Sequence, residues 1–118
     1  MYHVALCEDE QIFSVALEKD CRTIFQDNNI EYDLSVFANG TELLAAYKTQ
    51  PKPFDLIILD IVMEDFNGIE VAKKIRQLHD DVMIIFITAN KDYIFQIPGV
   101  HPFNFLTETS HMKIFIAP

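Results

Sequence analysis

Two stretches of this sequence carry an apolar run straight into acids. Val4-Ala5-Leu6-Cys7 meets Glu8-Asp9-Glu10, and Leu56-Ile57-Ile58-Leu59 ends on Asp60. Carboxylates held close together repel and raise one another's pKa, so a cluster of them suits a hard divalent cation. Magnesium takes oxygen ligands in an octahedron and keeps several waters, so one or two carboxylates, a backbone carbonyl and water complete its shell. Glu8, Asp9 and Asp60 are the candidate carboxylates, and the Val62 carbonyl is the candidate backbone ligand. Thr88, at the end of a third apolar run, offers a hydroxyl. Asp60 alone reads as a turn cap; the metal reading depends on the fold bringing the acids to one edge.

The elements needed for that are legible. Tyr2 to Cys7, Leu56 to Asp60 and Val82 to Ile87 read as short, continuously apolar strands, the pattern of strands covered on both faces. Tyr32, Leu34 and Val36 alternate with Asp33 and Ser35, as in an edge strand. Between them lie helical patterns. One runs from Gln11 to about Asn28, with Phe13, Ala16, Leu17, Cys21, Ile24 and Phe25 on its apolar stripe. The second runs from a Thr41 cap to about Lys48, and the third carries Ile69, Ala72, Ile75 and Leu78. A short helix over 91–97, stopped by Pro98-Gly99, and a fifth strand at Phe103 to Leu106 follow. Alternating strands and helices predict an α/β fold: a doubly wound, five-stranded parallel sheet, flavodoxin-like, in the order 2-1-3-4-5. In that order the first and third strands are neighbours, and their C-terminal ends bring Glu8, Asp9 and Asp60 together. The last helix is atypical or missing, because Lys113-Ile114-Phe115-Ile116 looks extended.

Rival chemistries fit less well. A flavin or nucleotide site on this frame wants a first loop rich in Gly, Ser or Thr to hold phosphate, and Glu8-Asp9-Glu10 repels phosphate unless a cation intervenes. A metal-dependent hydrolase needs a positioned base or nucleophile. His3 comes early in its strand, and His79, His101 and His111 are expected away from the acidic edge as surface or packing residues. Cys7 and Cys21 are not spaced as a metal knuckle and read as buried thiols of a reducing, cytoplasmic protein.

Composition narrows the classes further. A chain of 118 residues, half of them hydrophobic, supports one folded domain with a real core. A formal net charge of −9 argues against direct binding of nucleic acid and favours cations or a basic partner. No signal-peptide pattern opens the chain, and no apolar run approaches a membrane span.

The ordered set of motifs resembles the receiver domain of a two-component response regulator. It comprises Cys7-Glu8-Asp9-Glu10, Asp55 to Met63, Asn67-Gly68-Ile69-Glu70, Ile85-Phe86-Ile87-Thr88-Ala89, and Val100-His101-Pro102-Phe103-Asn104-Phe105-Leu106. The first and last of these are similar to receivers that precede LytTR-type DNA-binding domains. The resemblance implies that Asp60 accepts a phosphoryl group from a sensor histidine kinase. Asp9 and Asp60 would hold Mg2+, with Glu8 acting directly or through water and Val62 giving its carbonyl. Thr88 would bond the phosphoryl oxygen, and Phe105 takes the place of the aromatic switch residue. It further implies an output domain not present in these residues, a homodimer as one form of assembly, and no enzymatic turnover beyond self-phosphorylation and self-dephosphorylation.

Three departures stand out. Glu8 replaces a commoner Asp, and Glu64 stands where proline is frequent. Glu108, followed by Thr109, stands where the family has the lysine that pairs with the phosphoryl acid. Residues 1–106 are therefore expected to form the receiver domain and 107–118 an atypical tail, truncated or non-native, with Ser110-His111-Met112 reading like a cloning junction. The alternative is a degenerate receiver that acts as a phosphorylation-independent interaction module.

Overall fold

In the computed structural model, residues 1–61, 63, 67–88, 105–109 and 112–117 are described; Thr88 and the last two stretches are described by their backbone. The element order is β1 (Tyr2–Cys7), α1 (Gln11–Asp27), β2 (Tyr32–Phe37), α2 (Gly40–Thr49), β3 (Leu56–Asp60), α3 (Gly68–Leu78), β4 (Met83–Thr88), β5 (Phe105–Thr109) and β6 (Met112–Ala117). The sheet order is β2-β1-β3-β4-β6-β5. Its first four strands are parallel, with Leu6 in register with Val36 and Ile58, and Ile58 in register with Ile85.

The continuous apolar strands are explained by two core layers. Side chains alternate across a strand, and here the odd and even sets divide between the two faces of the sheet. Val4, Leu6, Ile58 and Ile87 pack with Leu17 of α1, whereas Ala5, Cys7, Ile57, Leu59, Ile84 and Phe86 pack with Leu43 and Tyr47 of α2 and with Val71 and Ile75 of α3. A strand covered on both sides has no polar face to display, so its sequence does not alternate.

Local chemistry sets the helix starts. Asn39, rather than Thr41, caps α2: its side chain accepts from the Glu42 N–H at 2.9 Å, and a Glu42 carboxylate oxygen accepts from the Ala38 N–H at 3.2 Å. Asn67 caps α3 in the same way, accepting from the Glu70 N–H at 2.9 Å. Each cap satisfies an N–H that the first turn leaves without a partner.

Two expectations are corrected. The apolar stripe of α1 is wider than the seam the sheet covers. Ser14 and Leu17 are buried with Cys21 and Phe25 half-buried, while Phe13, Ala16 and Ile24 face outward. One helix on one sheet face needs only a narrow seam, so periodicity overstated the buried set. The second correction concerns the fifth sheet position. The order 2-1-3-4 holds, but the strand beside β4 is β6, antiparallel, and β5 lies outside it, antiparallel to β6. Among the described residues the sheet therefore has six strands.

The tail's sequence accounts for this arrangement. Only two residues separate β5 from β6, and a link that short joins antiparallel neighbours, since a parallel return needs a long crossover. Of the two arms, Ile114-Phe115-Ile116 is uninterruptedly apolar and Leu106-Thr107-Glu108-Thr109 is largely polar. The apolar arm takes the interior place against Ile85, Phe86 and Ile87, and the polar arm takes the edge. The helix expected over 91–97 and the strand start at Phe103 lie outside the described residues.

Candidate functional site

Two chain segments meet at the C-terminal edge of the parallel strands. β1 delivers Glu8 and Asp9, and β3 delivers Asp60 from the adjacent strand. Each of these side chains offers a carboxylate oxygen, and the three atoms lie within 4.8 Å of one another. Glu8 is 3% and Asp60 8% exposed, so two of the acids are withdrawn from water as well as crowded. The sequence expectation that Glu8, Asp9 and Asp60 converge is met.

The buried Glu8 is the informative member. Its backbone N–H continues the β1–β2 ladder by donating to the Phe37 carbonyl at 3.1 Å. Its Oε1 accepts from the Glu10 N–H at 3.0 Å, but its buried Oε2 has no hydrogen-bond partner among the described residues. A buried oxygen without a partner costs about 1–3 kcal/mol, so its place beside two more carboxylates is what a cation-binding set requires. The donor set of hard oxygens fits Mg2+.

Burial pushes the Glu8 carboxyl up to about 8. The Glu10 N–H opposes this, while the nearby charges of Asp60 and Asp9 add to it. In metal-free protein, Glu8 thus keeps a proton that the unfolded chain releases near its ordinary value of 4.5. The folded state binds more protons over that window, so stability falls as pH rises from about 4.5 towards about 8 and then levels off. Urea unfolding of metal-free protein across that range checks the slope. Glu8→Gln should flatten it, and an equal slope in that variant would rule out Glu8 as its source.

Around the acids the backbone is closely fitted. The Ile61 N–H donates to the Ile87 carbonyl at 3.1 Å and the Gly68 N–H to the Ile61 carbonyl at 2.6 Å. A Cβ at Gly68 would stand 2.2 Å from the Asp60 carbonyl oxygen, so the first turn of α3 rests directly on β3. Below this, the Cys7 thiol donates to the Met63 sulfur at 3.4 Å, tying the segment after Asp60 to β1. The motif Asn67-Gly68-Ile69-Glu70 does not by itself reveal this contact of Gly68 with Asp60; it is visible only once α3 is laid on β3.

The remaining site residues are placed as follows. Thr88 ends β4, one residue beyond Ile87, the register partner of Asp60. Val62 lies outside the described residues, as do Glu64, His101 and His111. Phe105 opens β5, with β6 between it and β4. Glu108 is on the same outer strand. His3 lies at the opposite, N-terminal edge and His79 just past α3. There the buried His79 shares a 3.1 Å hydrogen bond with the Tyr47 hydroxyl and lies 3.2 Å from Asp81, a packing role. Neither Cys7 nor Cys21 forms a disulfide. Among the described residues no helix is long and apolar enough to cross a membrane.

Comparison with known proteins gives the same picture from a separate direction. The response regulator receiver domain family model matches residues 4–108. Sensory transduction protein LytT of Oceanobacillus iheyensis is 41% identical over 93 residues, covering 77% of this chain and 35% of that protein. Response regulator ArlR of Staphylococcus saprophyticus is 32% identical over 100 residues, covering 85% of this chain and 41% of that protein. The chain thus spans well under half the length of these two relatives. Among solved structures, response regulator protein TrrA from Thermotoga maritima, in complex with Mg2+ and BeF, superposes with a TM-score of 0.67 at 30% identity, covering 79% of this chain and 74% of that one.

Proposed function

Given that this chain belongs to the response regulator receiver family of two-component systems, we propose that it is a magnesium-dependent phosphoryl acceptor, with Asp60 as the residue modified by a sensor histidine kinase. Such domains are signalling modules rather than enzymes with turnover. Residues 1–106 are the receiver unit on this reading, and 107–118 a tail that departs from the family. The output it switches, transcriptional in the manner of the regulators it resembles, belongs to another module.

The observation that carries the reading is the convergence of Glu8, Asp9 and Asp60, with a buried oxygen of Glu8 left unpartnered. Asp9 and Asp60 would hold Mg2+, with Glu8 acting directly or through water and the Val62 carbonyl as a further protein ligand. A bound Mg2+ supplies positive charge to the phosphoryl oxygens and the acids around them. Asp60 presents a carboxylate oxygen to the phosphorus of the kinase phosphohistidine. An O–P bond forms as the N–P bond breaks, and the imidazole leaves and takes a proton from solvent. Little covalent chemistry is asked of the protein: it positions the acceptor and balances charge. Thr88, at the end of the neighbouring strand, bonds a phosphoryl oxygen, and Phe105 is the aromatic residue that follows the resulting shift. A phosphorylation-independent module has no use for three mutually repelling acids, and no other feature of the geometry favours it.

Incubation with a small acyl phosphate, followed by intact mass and acid-lability measurements, tests the proposal. One acid-labile phosphoryl group per chain is expected in Mg2+ and none in excess chelator. Incorporation that ignores the chelator would overturn the metal dependence, and a stable, acid-resistant product would overturn the acyl-phosphate chemistry.

A further inference from the structure

β2 is the outer strand at the end of the sheet away from the tail, and among the described residues no strand lies on its other side. It pairs with β1 alone, in unbroken register from Tyr32 to Phe37. The Glu31 and Phe37 carbonyls accept from the Tyr2 and Glu8 N–H groups at 2.9 and 3.1 Å. Along a strand, successive residues turn their backbone groups to alternate sides. Asp33, Ser35 and Phe37 therefore bond towards β1, while Tyr32, Leu34 and Val36 turn their N–H and C=O groups away from the sheet. Edge strands are commonly blunted by lysine, proline or a bulge. β2 has none of these, and its one charged residue, Asp33, lies 3.4 Å from the His3 ring. Val36 is 43% exposed. We propose that β2 is an interface for a second copy of this chain, joined by antiparallel pairing of the two β2 strands with Leu34 opposite Leu34.

The strand complements itself, and this selects the occupant. An antiparallel ladder exchanges hydrogen bonds between residues that both point outward. Centred on Leu34, it sets Tyr32 opposite Val36 of the second copy, Leu34 opposite Leu34 and Val36 opposite Tyr32, so every outward-pointing residue of β2 is bonded. Centred on Asp33, it would bring two Asp33 carboxylates face to face; centred on Ser35, it would leave Tyr32 beyond the paired strand. Residues directly opposite one another share a face of the sheet. Leu34 packs against the core layer that holds Leu17 of α1, and Tyr32 stacks on Phe25 of α1 at 4.8 Å. That face thus gains a Tyr–Val pair on either side of the Leu–Leu pair, and aromatic–β-branched pairs of this kind stabilise a ladder. On the other face Asp33 comes opposite Ser35, whose hydroxyl can donate to the carboxylate. The net charge of −9 on each copy opposes association, and one strand is a small interface. The dimer is therefore a weak one that added salt strengthens by screening. Antiparallel pairing turns the two acidic edges to opposite ends, so the inference does not depend on phosphoryl acceptance at Asp60.

Amide hydrogen exchange of the full parent chain, followed by NMR at rising protein concentration without Mg2+ or phosphodonor, reads the pairing residue by residue. The Asp33, Ser35 and Phe37 amides bond to β1 and should exchange slowly throughout. The Tyr32, Leu34 and Val36 amides should exchange fast in dilute protein and become protected as concentration rises, more so in high salt. Sedimentation equilibrium should show monomer and dimer over the same range. Val36→Lys removes both Tyr–Val pairs and should weaken association about tenfold, with the Tm of dilute protein unchanged. Cross-linking reads the register. In a Cys21→Ser background, a short bis-thiol reagent should join copies of Leu34→Cys, at the two-fold position, and not copies of the more exposed Val36→Cys. Outer amides that exchange equally fast at every concentration would overturn the interface, as would a dimer that Val36→Lys leaves intact. Cross-linking stronger at position 36 than at 34 would overturn the register. Protection of the outer amides only on addition of a different protein, with the parent monomeric throughout, would assign the edge to another partner and reject the second copy.

Discussion

Asp60→Asn is expected to abolish phosphoryl incorporation and to leave the metal-free domain at least as stable as the parent. The two effects have one origin. Asparagine keeps the shape of the side chain but removes the nucleophilic carboxylate, so the expected drop in labelling is complete within detection. It also removes the Asp60 charge, which crowds the neighbouring acids Glu8 and Asp9. Two unit charges at 4 Å in a protein-like effective dielectric repel by about 4 kcal/mol before relaxation. Even a quarter of that, about 1 kcal/mol, is a visible gain for a domain whose total stability is on the order of 10 kcal/mol. Because the charge of Asp60 helps hold the Glu8 proton, the variant should also lower the upper end of the pH window over which stability declines. Burial remains the largest cause, so the window narrows without closing. Urea denaturation with and without Mg2+, beside intact-mass labelling, measures all three. A metal-free loss of stability of several kcal/mol would show that Asp60 makes structural bonds that outweigh its repulsion.

Gly68→Ala is expected to destabilise the fold and to disturb the backbone at Asp60 together. The added methyl would lie 2.2 Å from the Asp60 carbonyl oxygen and 2.9 Å from the Ile61 Cα, both backbone atoms of the sheet's central segment. No rotamer relieves such a clash, so α3 must lift or β3 must bend, and overpacking of this kind costs about 1–3 kcal/mol, occasionally more. For a domain of this size that is on the order of 5–15 °C in Tm. The gain in helix propensity from alanine, about 1 kcal/mol, acts in the opposite direction and is smaller. Asn67→Ala is the control: it removes the α3 cap at a cost of about 1 kcal/mol without touching Asp60. Mg2+ affinity should fall in Gly68→Ala and hold in Asn67→Ala. A Gly68→Ala protein with parental Tm and affinity would mean that α3 is free to step back from the strand.

The sequence by itself determined the strands that carry the site and the acids that meet there. Continuous apolar runs such as Leu56 to Leu59 require cover on both faces, parallel strands require crossovers of one hand, and those two constraints leave few ways to order β1, β2, β3 and β4. Once β1 and β3 are neighbours, Glu8, Asp9 and Asp60 meet without further information, because each lies at the end of its strand. The same local logic located the start of α3 at Asn67-Gly68. Tertiary structure alone decided what depends on competition between surfaces. Phe13, Ala16 and Ile24 satisfy the helical period as well as Leu17 and Cys21 do, but only the seam facing β1 and β3 is covered. The need for glycine at position 68 comes from a strand eight residues earlier in the chain, so no local pattern records it. The tail shows this most clearly. Its extended character was legible in Lys113-Ile114-Phe115-Ile116, yet its place was not. Which arm pairs with β4 depends on the hydrogen-bonding edge that β4 leaves open and on which arm loses less by being enclosed. That comparison puts Ile114 to Ile116 inside, Glu108 outside, and Lys113 level with Thr88.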